Sequence, residues 1–278
     1  MSITLLIYGD LMNTQTVDLA LDSGFVYELE DGIGTITLNR PDQYNTLTEA
    51  VILSLTTWLD EIACSENVKV LIIASTGKAY STGHDLKDMQ RYNSELYFKN
   101  LLEKCSTMMQ KIVALPQPVI AQVQGITTAA GCQLVASCDL AVAGDSAVFA
   151  TNGISNGLYC ATPAVALSRV VPKKIAMEML LTGEFISSQK AQHIGLINIT
   201  SSDEELPSKT RQLAKKISEK SQFAVRLGKA SFYQQLEQPL SKAYAQTSND
   251  LVCNLLSDDW QEALSAFSEK RKPKWKDC

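Results

Sequence analysis

Two strongly apolar runs, residues 68–74 and residues 119–123, constrain the fold of this chain more than any other feature of its sequence. A strand that is apolar on both faces must be buried on both faces, which is typical of parallel sheets covered by helices. Apolar residues at helical spacing precede the first run, at Leu47, Val51, Leu55, Leu59 and Ile62. Strands that alternate with helices predict an α/β fold.

The neighbouring segments extend this alternation. Residues 25–30 and 33–39 alternate between apolar and polar side chains and are joined by Asp31-Gly32, which predicts a β-hairpin. The sequence of residues 46–49 has the form of a capping box and predicts the start of a helix. Three further segments fit the pattern, a helix at residues 99–115 and strands at residues 140–143 and 147–150.

The sequence changes character after residue 200, where only helical patterns follow. Helices are predicted at residues 207–229, 239–256 and 258–272, and two of them begin with a proline, as first turns often do. The basic residues that follow form either a solvated tail or an element that contacts a phosphate or another subunit. We divide the chain into an N-terminal extension (residues 1–24), an α/β core (residues 25–200) and a C-terminal helical region (residues 201–278).

The composition excludes several classes of function. Among 278 residues, 30 acidic and 25 basic side chains give a formal charge of −5, which disfavours nucleic-acid binding. No apolar run approaches the roughly 20 residues that span a bilayer, so no membrane partner is expected. With two histidines and no C-x-x-C pair, no metal site is predicted.

The cysteines and the first residues bear on the location of the protein. Seven cysteines at irregular spacing do not suggest a disulfide framework, and reduced thiols suit a cytosol-like compartment. The first arginine is Arg40, and no basic residue precedes the short apolar run at residues 3–8. Secretory and mitochondrial leaders need such basic residues. We therefore expect a leader-free, cytoplasmic protein.

Two loops that follow the apolar strands could carry chemistry. They span residues 79–87 and 124–134, and their small residues let backbone N–H groups approach a ligand closely. The second loop leads into a helix, whose first N–H groups and dipole favour negative charge. One N–H from each loop would make an oxyanion hole. Gly and Ala are also common in such loops without any catalytic role.

These loops belong to an ordered set of motifs that resembles the enoyl-CoA hydratase/isomerase (crotonase) superfamily. The set comprises Asn39-Arg40-Pro41, Asn45-Thr46-Leu47, Ser81-Thr82-Gly83-His84-Asp85-Leu86, Pro118-Val119-Ile120-Ala121, Ala130-Gly131-Cys132-Gln133-Leu134, Cys138-Asp139-Leu140-Ala141, Glu178-Met179-Leu180-Leu181-Thr182-Gly183 and Phe267-Ser268-Glu269-Lys270-Arg271-Lys272-Pro273. The motifs occur in one consistent order over residues 25–278. Within the superfamily, the sequence is most similar to the enoyl-CoA hydratase domain-containing proteins.

The resemblance implies a fold, an assembly and a chemistry. The fold would be a crotonase-like ββα spiral with a C-terminal helical region that builds a homotrimer or a hexamer. The substrate would be an acyl-CoA thioester, whose carbonyl lies between two backbone N–H donors so that an enolate can form. No metal or separate cofactor is implied, because coenzyme A enters as part of the substrate.

Carried over by position, the resemblance also assigns roles to individual residues. The two donors are the backbone N–H groups of His84 and Ala130, and the family usually has glycine where Ala130 stands. Tyr159 is expected beside the pocket on its own residue type, either as an aromatic wall residue or as a phenol that donates a proton. The resemblance implies further substrate or CoA contacts at Asp85, Leu86, Lys87, Phe267 and Lys270. The last two lie where the family's C-terminal helix approaches the CoA adenine, often that of a neighbouring subunit.

The sequence departs from the family at the two glutamates with which its hydratases handle water and the α-proton. Gln133 and Gly153 stand at these positions, and neither exchanges a proton as a carboxylate does. An isomerase can manage with one acid placed a turn later, but Ala161 holds that position. No Asp or Glu lies between Asp145 and Glu178, so the usual hydratase mechanism is not expected.

Three functions stay open at this point. The first is enolate stabilisation on acyl-CoA thioesters, the second is decarboxylation or thioester hydrolysis on the same fold, and the third is CoA-ester binding without catalysis. The His84 imidazole either binds a carboxylate, as in similar loops of superfamily decarboxylases, or is incidental. Asp85 is interpreted as a brace of its loop, Cys160 as a packed small residue and His193 as structural.

Overall fold

The computed structural model describes residues 24–278 and, for the backbone alone, residues 14–17. The strands are β1 (Thr14–Val17), β2 (Phe25–Glu30), β3 (Ile33–Leu38), β4 (Val70–Ser75), β5 (Ala79–Ser81), β6 (Val119–Val123), β7 (Ile126–Thr128), β8 (Leu140–Gly144), β9 (Val148–Ala150), β10 (Ile186–Ser187) and β11 (Ile199–Ser201). The helices are α1 (Glu49–Ala63), α2 (Leu86–Arg91), α3 (Glu95–Ala114), α4 (Ala130–Ser137), α5 (Ala161–Val170), α6 (Lys173–Thr182), α7 (Ser188–His193), α8 (Leu206–Ser218), α9 (Gln222–Leu236), α10 (Leu240–Leu255) and α11 (Asp258–Ser268).

Two sheets organise the described residues. The larger sheet has the order β1-β2-β3-β4-β6-β8-β11, antiparallel from β1 to β3 and parallel from β3 onward. The smaller sheet has the order β10-β9-β7-β5, and β5, β7 and β9 run parallel within it. This confirms the predicted α/β architecture. Because β5 and β7 are parallel neighbours, the loops that follow them lie at the same edge of the smaller sheet.

The first apolar run forms β4, and all six residues of this strand are buried. Leu71 and Ile73 pack into the main core. Val70 and Ile72 point to the other face, where α8 covers the sheet. Each such side chain contributes about 1.5–3 kcal/mol when it leaves water. The doubly apolar pattern is thus explained by burial on both faces.

Two local signals near the N-terminal end were tested by the structure. The Asp31-Gly32 hairpin is confirmed, because both residues have positive φ, 54° and 76°, as a tight hairpin turn requires. The helix start predicted at Thr46 is wrong, because α1 is capped by Thr48, whose hydroxyl accepts from the Val51 N–H. Thr46 instead donates its hydroxyl proton to Asp85 at 3.2 Å.

The C-terminal helices differ from the prediction at one break. The helix predicted over residues 207–229 is in fact two helices, α8 and α9. Ser221 starts the second one, because its hydroxyl accepts from the Ala224 N–H at 3.1 Å. The first, α8, lies on the larger sheet, against which Leu206 and Ala214 pack. The domain division at residues 24 and 200 stays a prediction, and residues 1–13 and 18–23 lie outside the described part of the chain.

The basic C-terminal tail folds back over this break. Trp275 Nε1 donates to the Glu219 carbonyl at 2.9 Å, and Asp277 Oδ1 accepts from the Gln222 N–H at 2.8 Å. These hydrogen bonds attach the tail to the domain, while its basic side chains at positions 270, 271, 272, 274 and 276 stay exposed.

Two absences hold for the residues that the structure describes. None of their helices is long and apolar enough to cross a membrane. Nor do they contain a group of three or more His, Cys, Asp or Glu side chains placed to hold a metal ion.

Candidate functional site

A cavity of about 1120 Å³ opens where the loops after β5 and β7 meet. Seven of the predicted site residues line it: His84, Asp85, Leu86, Lys87, Ala130, Gly153 and Tyr159. Further parts of the wall come from residues 40–48, from one face of α3 and from residues 152–163. The structure thus brings most of the predicted residues together around one space.

Gly83 fixes the first loop against the second. Its φ of 83° lies in the left-handed region that favours glycine. A Cβ at this position would lie 2.8 Å from the Ala130 nitrogen, so only glycine permits this approach. The Gly83 carbonyl accepts from the Leu47 N–H at 2.8 Å, which ties the loop to the segment before α1. His84 therefore follows directly on the point where the two loops touch.

The second loop turns sharply into α4 at Ala129. This residue has φ 50° and ψ −119°, a conformation that residues other than glycine rarely adopt. Its carbonyl accepts from the Gln133 N–H at 3.0 Å, as in the first turn of a helix. Because the C=O and N–H of a trans peptide point in opposite directions, the Ala130 N–H points away from α4. The Ala130 nitrogen lies close to the first loop, within 2.8 Å of where a Cβ on Gly83 would be.

The backbone N–H groups of His84 and Ala130 are unpaired donors at this contact. Neither has a hydrogen-bond acceptor in the described part of the chain. The Ala130 N–H also belongs to the first turn of α4, where the helix dipole adds partial positive charge. Ala130 is buried, so an oxygen bound to its N–H would be shielded from water. Two such donors can stabilise negative charge on an oxygen.

The His84 side chain lines the cavity as a neutral imidazole. Its Nδ1 lies 3.4 Å from the Leu47 carbonyl oxygen, which can only accept, so Nδ1 carries the proton. Nε2 is buried and has no hydrogen-bond partner among the described residues. Burial lowers the pKa of His84, and the contact with Leu47 offsets part of this effect.

The Asp85 carboxylate is engaged in holding its own loop. Oδ1 accepts from the Lys87 N–H at 2.8 Å and from the Asp88 N–H at 3.3 Å, which caps the start of α2. Oδ2 accepts from the Thr46 hydroxyl at 3.2 Å. These contacts favour the interpretation of Asp85 as a brace.

Gln133 and Gly153 differ in the space around them. Gln133 is buried, and its Oε1 has no hydrogen-bond partner in the described residues. Gly153 lines the cavity, but a Cβ there would lie 2.5 Å from the Leu158 carbonyl oxygen and 2.8 Å from the Cys160 Sγ. Any side chain at position 153 would therefore require this loop to move.

Tyr159 and Cys160 lie beside Gly153 in the cavity wall. Tyr159 is exposed. Cys160 is buried, and burial raises the pKa of its thiol, although a hydrogen bond with the Gly153 backbone offsets part of this. A thiol that stays protonated is a poor nucleophile. This favours the interpretation of Cys160 as a packed residue.

Sequence reasoning missed the apolar wall of the cavity. Its members are Met89, Phe98, Leu101, Leu102, Leu158 and Phe185. The signal in α3 was available, because apolar residues recur along it at helical spacing. Core and cavity wall cannot be told apart by that pattern, since Leu101 serves both.

Comparison with known proteins shows the family to which this chain belongs. The family model described as "Enoyl-CoA hydratase/isomerase" matches residues 28–278. The chain belongs to the enoyl-CoA hydratase/isomerase family. Mouse and human relatives named "Enoyl-CoA hydratase domain-containing protein 3, mitochondrial" are 48% and 47% identical to it. Each alignment covers 88% of this chain, and 82% and 81% of the mouse and human proteins.

Solved structures of enoyl-CoA hydratase/isomerase proteins share the fold. An enoyl-CoA hydratase from Mycobacterium smegmatis has a TM-score of 0.89 at 45% identity, covering 91% of this chain and 98% of its own. Human enoyl Coenzyme A hydratase domain-containing protein 3 has a TM-score of 0.86 at 45% identity, and the match covers 95% of this chain and 100% of the human chain. The predicted resemblance and fold class are confirmed.

The expected cytoplasmic location of this family member is wrong. Relatives from mouse, rat and human are all named mitochondrial proteins, which points to the mitochondrion. The expectation had rested on reduced thiols, which suit any reducing compartment. The lack of basic residues before Arg40 is the other ground for a cytoplasmic location, and the names of these relatives outweigh it.

Two predicted CoA contacts of this hydratase/isomerase-family chain lie away from its own cavity. Phe267 is 86% exposed near the end of α11, and Lys270 follows that helix with a φ of 54°. Neither lines the cavity of the same chain. A contact with the CoA of a neighbouring subunit stays a prediction.

Proposed function

We propose that this protein binds acyl-CoA thioesters in the cavity, with the thioester oxygen between the N–H groups of His84 and Ala130. One observation carries the proposal: two unpaired donors lie on two touching loops at the wall of one cavity. Donors fixed before the ligand binds stabilise an oxygen that gains negative charge. Enolate stabilisation is the chemistry that this arrangement offers.

Hydration by the usual pair of glutamates is not part of the proposal. Gln133 has no acid function, and the backbone around Gly153 leaves no room for a carboxylate side chain. The acid that follows the first donor, Asp85, is engaged by Thr46 and by the start of α2. We therefore expect hydration of enoyl-CoA to be slow. The same shortage of acid and base groups favours a second candidate, CoA-ester binding without catalysis.

Decarboxylation and thioester hydrolysis are less well supported. Binding of a substrate carboxylate by His84 would need a second proton on its imidazole, and burial, which lowers the pKa of His84, opposes that protonation. Hydrolysis through an acyl-enzyme would need a thiolate, whereas burial raises the pKa of the Cys160 thiol.

The CoA portion would lie at the mouth of the cavity. Arg40 and Lys87 line the cavity and can pair with phosphate oxygens. Phe267 and Lys270 of a neighbouring subunit would complete the site. A homotrimer or hexamer is supported by apolar side chains left exposed on α9 to α11, among them Phe232, Leu236, Leu240, Tyr244, Leu251 and Phe267. The names of the relatives support a mitochondrial location.

The donor role of His84 can be observed directly, because the chain has two histidines. Labelling with 15N-histidine gives two backbone amide signals, those of His84 and His193. Butyryl-CoA should shift the His84 signal, since its N–H gains an acceptor, and should leave His193 in place, since that residue is exposed and outside the cavity. Free CoA is the control ligand, because it has no thioester carbonyl to accept from the His84 N–H. Binding of butyryl-CoA without movement of the His84 signal would contradict the proposal.

A second measurement separates the two candidates. Exchange of the α-protons of bound butyryl-CoA in D₂O reports enolate formation, and crotonyl-CoA reports hydration. Slow exchange and no appreciable hydration are the expected results, with solvent hydroxide accepting the α-proton because Gln133 and Gly153 supply no base. Tight binding without either reaction would favour the non-catalytic role.

A further inference from the structure

Ala129 holds, at the cavity wall, a backbone conformation that favours glycine. Its φ of 50° and ψ of −119° strain any residue with a Cβ. Two hydrogen bonds impose this conformation, because the Ala129 N–H donates to the Ala150 carbonyl and its own carbonyl accepts from the Gln133 N–H, both at 3.0 Å. Glycine would make both bonds without strain. Strained residues cluster at functional sites, so the methyl group itself calls for an explanation.

The conformation places this methyl group beside one of the unpaired donors. The N and Cβ substituents of a tetrahedral Cα are a third of a turn apart about the Cα–C bond. At a ψ of −119° the Cα–Cβ bond therefore nearly eclipses the bond from the carbonyl carbon to the Ala130 nitrogen. On its other side the methyl group faces the first loop, because a Cβ on Gly83 would lie 3.1 Å from it. Ala129 is only half-buried and lines the cavity.

An oxygen that accepts from the Ala130 N–H must therefore contact the Ala129 methyl group. In a thioester held as proposed above, the atoms nearest to that oxygen are the sulfur and the carbon next to the carbonyl. The sulfur carries the same CoA chain in every substrate, so substrates differ at the carbon. We propose that Ala129 is a specificity-determining residue that excludes acyl thioesters branched at this carbon. The inference rests on the proposed binding function.

Crotonyl-CoA and 2-methylcrotonyl-CoA differ by one methyl group at this carbon and provide the test. The wild type should bind the branched thioester about 10-fold or more weakly, the usual effect of one such group in a tight pocket. Ala129→Gly should remove most of this discrimination. The same change should raise the Tm by about 2–4 °C, because it releases the strain.

Ala50→Gly is the matched control, since it makes the same chemical change in the first turn of α1, outside the cavity. It should keep the wild-type ratio of dissociation constants and lower the Tm, because glycine weakens an ordinary helix. If both thioesters bind and Ala129→Gly keeps the wild-type ratio, the inference fails and the proposed function stands. If the wild type binds both equally, the inference fails as well. If neither thioester binds the wild type, the proposed function itself fails.

Discussion

Lys229 Nζ lies 2.7 Å from Asp139 Oδ2, and this ion pair joins helix α9 to the start of β8. Both side chains are largely buried, at 7% and 14% exposure. Asp139 also accepts from the Tyr233 hydroxyl at 2.9 Å and from the Val119 N–H at 2.6 Å, and Lys229 donates to two backbone carbonyls at 3.1 Å. Burial lowers the pKa of Lys229, and Asp139 offsets part of this. The pair fixes the C-terminal region to the α/β core.

Removing one partner of this pair should cost more than removing both. Lys229→Met leaves the Asp139 charge buried without its counter-ion, and the free energy of unfolding should fall by about 3–5 kcal/mol. The double variant with Asp139→Asn removes that charge and should recover part of the loss. Urea unfolding measures the free energy of unfolding of the single and the double variant. Lys99→Met, at the exposed pair with Glu95, should change stability by less than about 1 kcal/mol. A double variant less stable than Lys229→Met would argue against this account.

Gly153→Ala should destabilise the protein. Its Cβ would meet the Leu158 carbonyl and the Cys160 sulfur, and such overpacking typically costs about 1–3 kcal/mol. The matched control is Gly228→Ala, because that glycine lies within α9 with open space around it. The control should gain about 0.5–1 kcal/mol. Thermal unfolding of the two variants checks the opposite signs, and a neutral Gly153→Ala would show that the loop yields easily.

Gly153 also shows which part of the candidate site could not be predicted from the sequence. Its alignment with a family glutamate identified a missing acid, but the lack of room for any side chain depends on where Leu158 and Cys160 return to the loop. That return is a short turn, closed by the Leu158 N–H donating to the Gly153 carbonyl at 3.0 Å, whose geometry the alignment did not provide. Thr46 and Thr48 make the same point, since both are good helix caps. The hydrogen bond from Thr46 to Asp85 decides between them, and it joins segments 39 residues apart.

Local signals were sufficient where burial or turn geometry imposed a single solution. The apolar run that became β4 could only be a doubly covered strand, and Asp31-Gly32 could only be a tight turn. The strained backbone of Ala129 was beyond reach, because alanine gives no signal of positive φ. The conformation is imposed by its bonds to Ala150 and Gln133.

Asp85 should tolerate the loss of its charge but not the loss of its acceptor oxygens. Asp85→Asn keeps an acceptor at the start of α2, so stability and butyryl-CoA affinity should stay near wild type. Asp85→Ala removes the cap and the contact with Thr46, and should lower the free energy of unfolding by about 1 kcal/mol and weaken binding. Calorimetric titration and urea unfolding report the two quantities. Loss of α-proton exchange in a stable Asp85→Asn protein would instead identify the carboxylate as a base.

The buried imidazole of His84 should make the ligand-free protein sensitive to mild acid. Burial lowers its pKa in the folded state below the ordinary value of 6.5, so between these two values the unfolded chain binds more protons than the folded one. Stability therefore rises with pH through this window and falls as the pH drops through it. His84→Gln removes the titrating group and keeps the backbone N–H, so its unfolding free energy should fall less between about pH 7 and about pH 5. Urea unfolding across this range measures the difference. Parallel curves for the two proteins would mean that the imidazole takes up its proton as readily in the folded cavity wall as in the unfolded chain, and the assignment of a neutral His84 would then fail.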